Sequence, residues 1–149
     1  MTVFVDTSAF LAVLNSADQY HPDARVEWQR LIREDGALVC TDYVLLETLT
    51  LAQHRLGMAA VRALRDDVLP VITIEWVESR TFEIGLTALL AAGRKRLSLV
   101  DCISFEVMRS VGLRNVFTFD DHFRQEGFNP LPNRIEAPDE EKEQIRKGP

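Results

Sequence analysis

Short apolar runs alternate along this chain with longer segments of helical periodicity, and polar residues separate the two kinds of segment. Apolar runs of four or five residues bounded by turn-forming residues are typical of buried strands. Strands and helices that alternate in this way form β-α-β units, so the pattern predicts an α/β domain with a mostly parallel central sheet of about five strands and helices on both faces. The predicted strands are residues 2–6, 37–40, 71–74, 116–119 and 129–131.

Seven helical segments connect these strands, and residues with known capping preferences mark their ends. Pro22 suits a first helical turn, Gly57 and Gly112 follow helix ends, and Asp42 and Ser98 suit N-cap positions. The predicted helices are residues 8–15, 23–33, 43–55, 59–69, 76–92, 99–111 and 121–126.

The composition is that of one globular domain, because 149 residues with a 46% hydrophobic share can bury a single core. After Pro132 the sequence becomes polar and highly charged, which predicts a domain of residues 1–132 and a charged tail of residues 133–149. Cys40 and Cys102 lie in apolar segments without metal-ligand spacing, so reduced core thiols are expected. No basic region precedes an apolar stretch at the start and no apolar run could cross a bilayer, so we expect no membrane association and a cytoplasmic location.

Four acidic residues occupy positions at which a carboxylate needs an explanation. Asp6 closes the first apolar run, Asp120 closes the fourth, Asp101 follows Ser98-Leu99-Val100, and Glu47 interrupts an apolar helix. The carboxyl ends of parallel strands meet at one edge of a sheet, where ligands bind in open α/β folds. Carboxylates gathered there repel one another unless a cation neutralises them. The joint pattern therefore predicts a divalent metal site.

Each aspartate also has a purely structural explanation. Asp6 can cap the following helix, and Asp101 can complete a capping box with Ser98. Asp120 and Asp121 can supply favourable negative charge at a helix N-terminus. Capping accounts for each residue separately, whereas a metal site accounts for their common location.

Glu47 is harder to explain structurally, because the helix around it is almost entirely apolar. We expect its side chain to be half buried, where an unpaired charge is costly. A salt bridge to Arg55 or Arg62 is the structural alternative to metal binding.

Four motifs follow one another in a distinctive order over nearly the full length of the chain. Together they resemble the motifs of the PIN-domain ribonucleases, specifically the VapC-type toxins of type II toxin-antitoxin pairs. Asp121 leaves the position of the fourth acid ambiguous by one residue. The motifs are Val5-Asp6-Thr7-Ser8, the helical Glu47, Ser98-Leu99-Val100-Asp101, and residues 117–123 with Asp120, followed by Gly127-Phe128 and Leu131.

The resemblance implies a PIN-like three-layer sandwich and a metal-dependent endoribonuclease that cuts single-stranded or loop RNA to leave a 5′-phosphate and a 3′-hydroxyl. The implied cofactor is Mg²⁺, with Mn²⁺ as an alternative, which would help water to attack the phosphodiester bond. Asp6 and Asp101 are expected as direct ligands, with Glu47 and Asp120 completing the catalytic site through water or a second ion. The supporting hydroxyl residues are Thr7, Ser8, Ser98 and Thr118.

The resemblance also implies partners: an RNA substrate, a small antitoxin protein and a second copy of the chain. The apolar helices around residues 28–32 and 45–56 are the predicted dimer and antitoxin surfaces. A net charge of −6 disfavours nucleic-acid binding at first, but a metal would neutralise the site carboxylates. Arg94, Lys95 and Arg96 are the predicted RNA-binding rim, with a solvated loop as the alternative.

Other residues have less specific signals. His21, His54 and His122 lack metal-ligand spacing and are interpreted as surface or helix-face residues, with an exception considered for His122 because it lies near Asp120. Trp28 and Trp76 recur at helical spacing with apolar residues and are assigned to the core or an interface.

Three alternative functions remain. The protein could process RNA in a housekeeping role without an antitoxin, or bind Mg²⁺ in a non-catalytic interaction domain. A phosphatase with an aspartyl nucleophile is disfavoured, because Asp6 is followed by Thr7 and Ser8 rather than by a second acid two residues later.

Overall fold

A computed structural model describes residues 1–134 of the chain. Its strands form one sheet in the order β3-β2-β1-β4-β5, and every neighbouring pair is parallel. The predicted α/β fold with a five-stranded sheet is confirmed, and the sheet is parallel throughout rather than mostly parallel. The strands are β1 (Val3–Val5), β2 (Leu38–Thr41), β3 (Ile72–Glu75), β4 (Asn115–Phe117) and β5 (Asn129–Leu131).

Helices connect the strands, as the periodicity predicts. The helices are α1 (Thr7–Leu14), α2 (His21–Arg33), α3 (Asp42–Leu56), α4 (Met58–Ala63), α5 (Ser79–Ala92), α6 (Leu99–Ser110) and α7 (His122–Gln125). After α4 the chain continues through a π-helical turn, Leu64–Val68, and a 3-10 turn, Leu69–Val71.

The core lies on both faces of the sheet. Every residue of β1 and β2 is buried, as expected for parallel strands that helices cover on two sides. The edge strand β3 alternates between half-buried and exposed residues instead. Phe4 and Phe117 of adjacent strands are fully buried, and Phe123 joins them from α7. The ring of Phe105 in α6 packs edge-on against Phe123 with a centroid distance of 5.0 Å.

The order of the strands creates a switch point between β1 and β4. The chain leaves β1 to build β2 and β3 on one side, and later returns to build β4 and β5 on the other side. Val5 of β1 pairs with Phe117 of β4, so Asp6 and Thr118 leave the sheet side by side. Crevices at such a point, outside the carboxyl ends of the strands, are where open α/β folds bind ligands.

Several predicted boundaries were wrong by a few residues. The helix predicted from Trp76 begins only at Ser79, because the N–H of Val77 donates to the side chain of Asp42 (2.9 Å) instead of starting a helical turn. Trp76 is consequently 73% exposed, so it does not lie in the core and its alternative assignment to an interface stays a prediction, whereas Trp28 packs against the core as expected. β4 ends at Phe117 and not at residue 119.

The C-terminal boundary is not tested. The predicted tail of residues 133–149 falls almost wholly outside the described residues, and the division at Pro132 stays a prediction.

Within residues 1–134, no helix combines the length and the apolar character that a membrane span requires.

Candidate metal centre

Asp6 lies directly after β1 and caps α1, so the capping explanation and the site explanation both apply to it. Its backbone is extended (φ −90°, ψ 159°), and its carboxylate accepts a hydrogen bond from the N–H of Ser8 at 3.3 Å. The hydroxyls of Ser8 and Thr118 donate to the same oxygen, Oδ2, at 2.7 and 3.1 Å. The side chain is buried with 4% exposure, so these hydroxyls replace water around it.

Asp101 stands in the first turn of α6 and is also buried. The predicted capping box is present, because the N–H of Asp101 donates to Ser98 Oγ at 3.1 Å and the N–H of Ser98 donates to Asp101 Oδ2 at 3.2 Å. This reciprocal pair sets the start of α6 and the orientation of the carboxylate together. Gly85 of α5 permits the close approach of α6, since a Cβ there would lie 2.6 Å from Ile103 Cγ1.

Asp120 follows β4, and its N–H donates to Thr118 Oγ1 at 3.0 Å. Thr118 thus contacts both Asp6 and Asp120 from a buried position behind them. Asp121, the other possibility for the fourth acid, is exposed and lies at the N-cap of α7. Asp120 rather than Asp121 therefore lies with the other acids.

Glu47 is half buried on α3, as expected. The helix carrying it begins at a Thr41 cap, whose side-chain oxygen accepts from the N–H of Val44 at 3.1 Å. Within residues 1–134, Glu47 forms no salt bridge, so the alternative of a partner arginine, Arg55 or Arg62, is not observed.

One open cleft brings the four acids together. It has a volume of about 220 Å³ and lies at the switch point of the sheet. Of the predicted supporting residues, Thr7, Ser8 and Ser98 line it, while Thr118 does not line it but donates to the carboxylate of Asp6. The acidic residues in its wall are Asp6, Glu47, Asp101 and Asp120.

Burial and mutual repulsion make this cleft a poor place for unbalanced negative charge. Desolvation, followed by repulsion from Asp101, raises the pKa of Asp6 to about 7, although the hydrogen bond from Ser8 opposes the shift. Desolvation likewise raises the pKa of Asp101, against the hydrogen bonds from Ser98. A divalent cation would remove both causes of instability, since it neutralises the charge and takes carboxylate oxygens as ligands.

A comparison with known proteins identifies the family. The family model described as "PIN domain" matches residues 3–129. This chain belongs to the PIN domain family. The predicted resemblance to VapC-type PIN proteins is also confirmed, since a 23S rRNA-specific endonuclease of Mycobacterium tuberculosis, VapC20, is 34% identical over 127 residues, which cover 85% of this chain and 95% of that relative.

Solved structures agree with this assignment. The crystal structure of M. tuberculosis VapC20, described as a toxin that cleaves the sarcin-ricin loop, matches with a TM-score of 0.76 and 32% identity over 85% of this chain and 96% of its own. VapBC2 of Rickettsia felis, bound to promoter DNA, matches with a TM-score of 0.62 and 14% identity over 85% of this chain and 94% of its own. FitAcB of Neisseria gonorrhoeae matches with a TM-score of 0.63 and 15% identity over 87% of this chain and 96% of its own. The last two likenesses support the PIN fold alone.

His122 is a member of this PIN-domain site that sequence reasoning largely missed. Its Nδ1 lies 3.1 Å from Asp120 Oδ1 and 3.5 Å from Asp101 Oδ2. Nδ1 is buried yet makes no hydrogen bond within residues 1–134, despite these short distances. Asp101, Asp120 and His122 each offer one ligand atom within 4.8 Å of the others, a spacing that a metal ion could bridge. The available sequence signal was the position of His122 two residues after Asp120.

The other histidines behave as expected, and the residues of the basic rim are not among those that line the acidic cleft. His54 is exposed, and His21 Nδ1 lies 2.8 Å from the carbonyl oxygen of Ala12. The three basic residues of the rim, Arg94, Lys95 and Arg96, are exposed on the segment before α6. Arg94 is engaged in a salt bridge of 3.3 Å with Glu126.

Proposed function

We propose that this PIN domain is a metal-dependent endoribonuclease that hydrolyses RNA phosphodiester bonds. The observation that carries the proposal is the convergence of four acids from different elements on one open cleft at the switch point of the sheet. The raised pKa of Asp6 supports it, because the protein tolerates carboxylate repulsion there that capping alone does not require. The ribonuclease activity of the VapC20 relative supports the choice of RNA as substrate.

The donor set fits a divalent cation, with Mg²⁺ as our choice and Mn²⁺ as an alternative. Asp6 and Asp101 are the proposed direct ligands, and Glu47 and Asp120 the proposed outer acids. Such an ion would supply Lewis acidity at the phosphate and a water of lowered pKa. The hydroxyls of Ser8 and Thr118 hold the Asp6 carboxylate by hydrogen bonds of 2.7 and 3.1 Å.

The proposed roles of the protein groups follow from their positions. Thr118 orients Asp6 and Asp120 together, and the Ser98 capping box orients Asp101. Glu47 faces the cleft without an ion pair to any residue in 1–134, so its carboxylate is available to orient a water molecule. The openness of the cleft gives a phosphodiester access to all four acids.

The proposed substrate is a structured rRNA loop. The VapC20 relative is described as specific for 23S rRNA and as a toxin that cleaves the sarcin-ricin loop. Its similarity extends over almost its whole length, which supports the same substrate class for this chain. We accordingly propose that the protein acts as the toxin of a toxin-antitoxin pair, with a small antitoxin as its partner and a homodimer as its assembly.

Incubation of the purified protein with a synthetic sarcin-ricin loop RNA tests the nuclease proposal. We expect cleavage with Mg²⁺ or Mn²⁺, no cleavage in excess EDTA, and no cleavage by Asp6→Asn or Asp101→Asn under either condition. Asp121→Asn is the matched control, because this exposed neighbour lies outside the cleft, and it should retain activity. Unchanged cleavage in EDTA would falsify metal dependence.

A second experiment tests the toxin proposal. Expression of the wild-type chain in bacteria should arrest growth, whereas Asp6→Asn should not, and co-expression of the reading frame adjacent to its gene should restore growth. Growth unaffected by the wild-type chain, despite RNA cleavage in vitro, would support the housekeeping alternative.

A further inference from the structure

A second cavity adjoins the acidic cleft and is not used in the proposed hydrolysis. It has a volume of about 230 Å³ and lies between α1, the end of α3 and the segment after β4. Ser8 and Leu11 line both spaces, so the cavity opens next to the carboxylates. Its volume is below the ~300–1,000 Å³ of pockets for drug-sized ligands, and suits one heterocyclic base rather than a whole nucleotide.

The cavity is tied to the acidic cleft through Ser8. The hydroxyl of Ser8 donates to Asp6 at 2.7 Å and accepts from the N–H of Phe119 at 3.0 Å. Phe119, a wall residue of the cavity, thus has a set position relative to the first catalytic acid. A group bound in the cavity would belong to the nucleotide next to the phosphate in the cleft.

Two aromatic rings form one wall. Tyr20 stacks on Phe119 with a centroid distance of 4.8 Å and an interplanar angle of 8°. The guanidinium of Arg134 lies 4.3 Å from the Tyr20 centroid and 5.4 Å from the Phe119 centroid, which adds cation–π attraction to the stack. Leu56 lines the cavity as well, so the cavity has a preformed apolar lining that is partly planar.

Polar groups at the rim of the cavity are held in place by the loop between α1 and α2. Asn15 Oδ1 accepts from the N–H of Ala17 at 3.0 Å, and Asp18 Oδ1 accepts from the N–H of Tyr20 at 2.8 Å. The amide nitrogen of Asn15 and the second oxygen of Asp18 make no hydrogen bond within residues 1–134. One donor group, the amide of Asn15, and one acceptor atom, the second oxygen of Asp18, therefore remain for the edge of a base.

Arg55 completes the cavity with a positive charge. Its side chain is exposed at the end of α3 and forms no salt bridge with any other residue in 1–134. A free guanidinium beside an apolar, hydrogen-bonding cavity matches a nucleotide, whose phosphate is charged and whose base is flat and polar at its edge.

We propose that this cavity binds the nucleobase adjacent to the scissile phosphate, with Tyr20, Phe119, Asp18 and Asn15 as base contacts and Arg55 as a phosphate contact. The inference rests on the proposed ribonuclease function and specifies how its substrate is positioned. An unpaired loop nucleotide fits this arrangement, because its base can leave the stack and enter a pocket.

Cleavage of paired RNA substrates tests the base-binding cavity. One loop RNA carries all its bases, and matched copies lack the base at the nucleotide on either side of the cleaved bond. Stacking and hydrogen bonds to one base correspond to a roughly 5- to 150-fold effect, so wild-type kcat/KM should fall by that factor for one of the two abasic substrates. Tyr20→Leu and Asp18→Asn should lower cleavage of the complete RNA while leaving cleavage of that abasic substrate within about twofold.

Trp76→Ala is the matched control, because it removes an exposed aromatic ring that lines neither cavity. Equal losses on complete and abasic RNA, or no loss on either, overturn the inference while the ribonuclease function stands. Reduced binding of a peptide or antitoxin in Tyr20→Leu, with base discrimination intact, also overturns it. Absence of any cleavage by the wild type in Mg²⁺ overturns the proposed function itself.

Discussion

Asp6 shows how one residue combines a structural and a chemical role. Its carboxylate caps α1 and accepts hydrogen bonds from Ser8 and Thr118, yet burial and the nearby Asp101 still raise its pKa to about 7. The hydrogen bonds favour the ionised form, and desolvation with like-charge repulsion opposes it more strongly. The ionised carboxylate therefore lowers the stability of the metal-free protein, a cost that the proposed cation would remove.

The first prediction concerns the pH dependence of that cost. The folded state binds a proton at Asp6 more tightly than the unfolded state, whose pKa is near 3.8, so the metal-free protein loses unfolding free energy as the pH rises from about 4 through about 7. Asp6→Asn keeps a capping oxygen, so its unfolding free energy should fall less over this pH range. The two falls should differ by on the order of a few kcal/mol. Urea titrations in EDTA at pH 5 to 8 measure it. Parallel pH profiles for the two proteins would contradict the assignment.

The second prediction concerns Thr118, whose hydroxyl donates to Asp6 and accepts from Asp120. Thr118→Val keeps the shape but removes both hydrogen bonds, so metal affinity and cleavage should each fall roughly 10- to 100-fold. Calorimetric titration with Mn²⁺ and an RNA cleavage assay measure the two effects. Thr50→Val, on the exposed side of α3, is the control and should change neither quantity.

At the scale of the element, α6 begins where its sequence dictates and carries Asp101 to the site in its first turn. Ser98 and Asp101 satisfy each other's backbone N–H groups, so the helix start and the orientation of the carboxylate depend on the same hydrogen bonds. Gly85 then permits α5 to lie close against α6.

A third prediction tests this dependence. Ser98→Ala should lower the unfolding free energy by about 1 kcal/mol, because the N–H of Asp101 loses Oγ as its acceptor. It should also reduce cleavage, because the remaining bond from the backbone N–H of residue 98 then holds the Asp101 carboxylate at a less stable helix start. Ser98→Thr, which retains the hydroxyl, should restore most of both. Denaturant titrations and cleavage rates for the three proteins provide the measurements. Full activity in Ser98→Ala would show that the capping box is structural only.

At the scale of the whole molecule, the distribution of charge determines where RNA phosphates can bind. The cleft is acidic, while Arg94, Lys95 and Arg96 lie exposed on the segment preceding α6. The salt bridge from Arg94 to Glu126 already uses one of these three cations. Lys95 and Arg96 are therefore the more available phosphate contacts of the predicted rim.

The fourth prediction uses this difference. Replacing Lys95 and Arg96 together with Ala should weaken binding of different RNA sequences alike and reduce the slope of log K against log salt by about 2. Arg94→Ala should have a smaller effect. Dissociation constants across a salt series, taken in the Asp6→Asn background that we expect to be inactive, measure both. Identical slopes for the double variant and the parent would favour the solvated-loop alternative.

The fifth prediction concerns assembly. Ile32 on α2 and Leu46 on α3 are exposed by 42% and 62%, within the apolar stretches predicted to form a dimer surface. Light scattering should report a dimer for the wild type and a monomer for Leu46→Glu, because a buried charge at an interface is costly. Leu90→Glu, on α5 and similarly exposed, should remain dimeric as the control. A monomeric wild type at high concentration argues against the dimer.

The sequence alone determined the kinds of elements and predicted that Asp6, Glu47 and Asp101 lie at one site, and the structure places all three in one cleft. These features are local: the periodicity of strands and helices, the Ser98 cap and the position of Asp6 after β1. Backbone hydrogen bonds within helices and at caps join residues close in sequence, so such features can be predicted from the sequence itself. The half-buried state of Glu47 followed from its apolar helix in the same way. The fourth acid stayed ambiguous between Asp120 and Asp121, because two adjacent acids at a helix start look alike until the chain is folded.

Only the tertiary structure decided which distant residues meet. The strand order placed the switch point between β1 and β4, and so brought Asp6 against Thr118 across 112 positions. Tertiary packing also placed His122 near Asp101 and paired Arg94 with Glu126. The hydrogen bond from the N–H of Val77 to Asp42 moved the start of the next helix to Ser79 and left Trp76 exposed before it. Each of these outcomes depends on how whole elements pack and cross, and the residues involved carry no local pattern that records it.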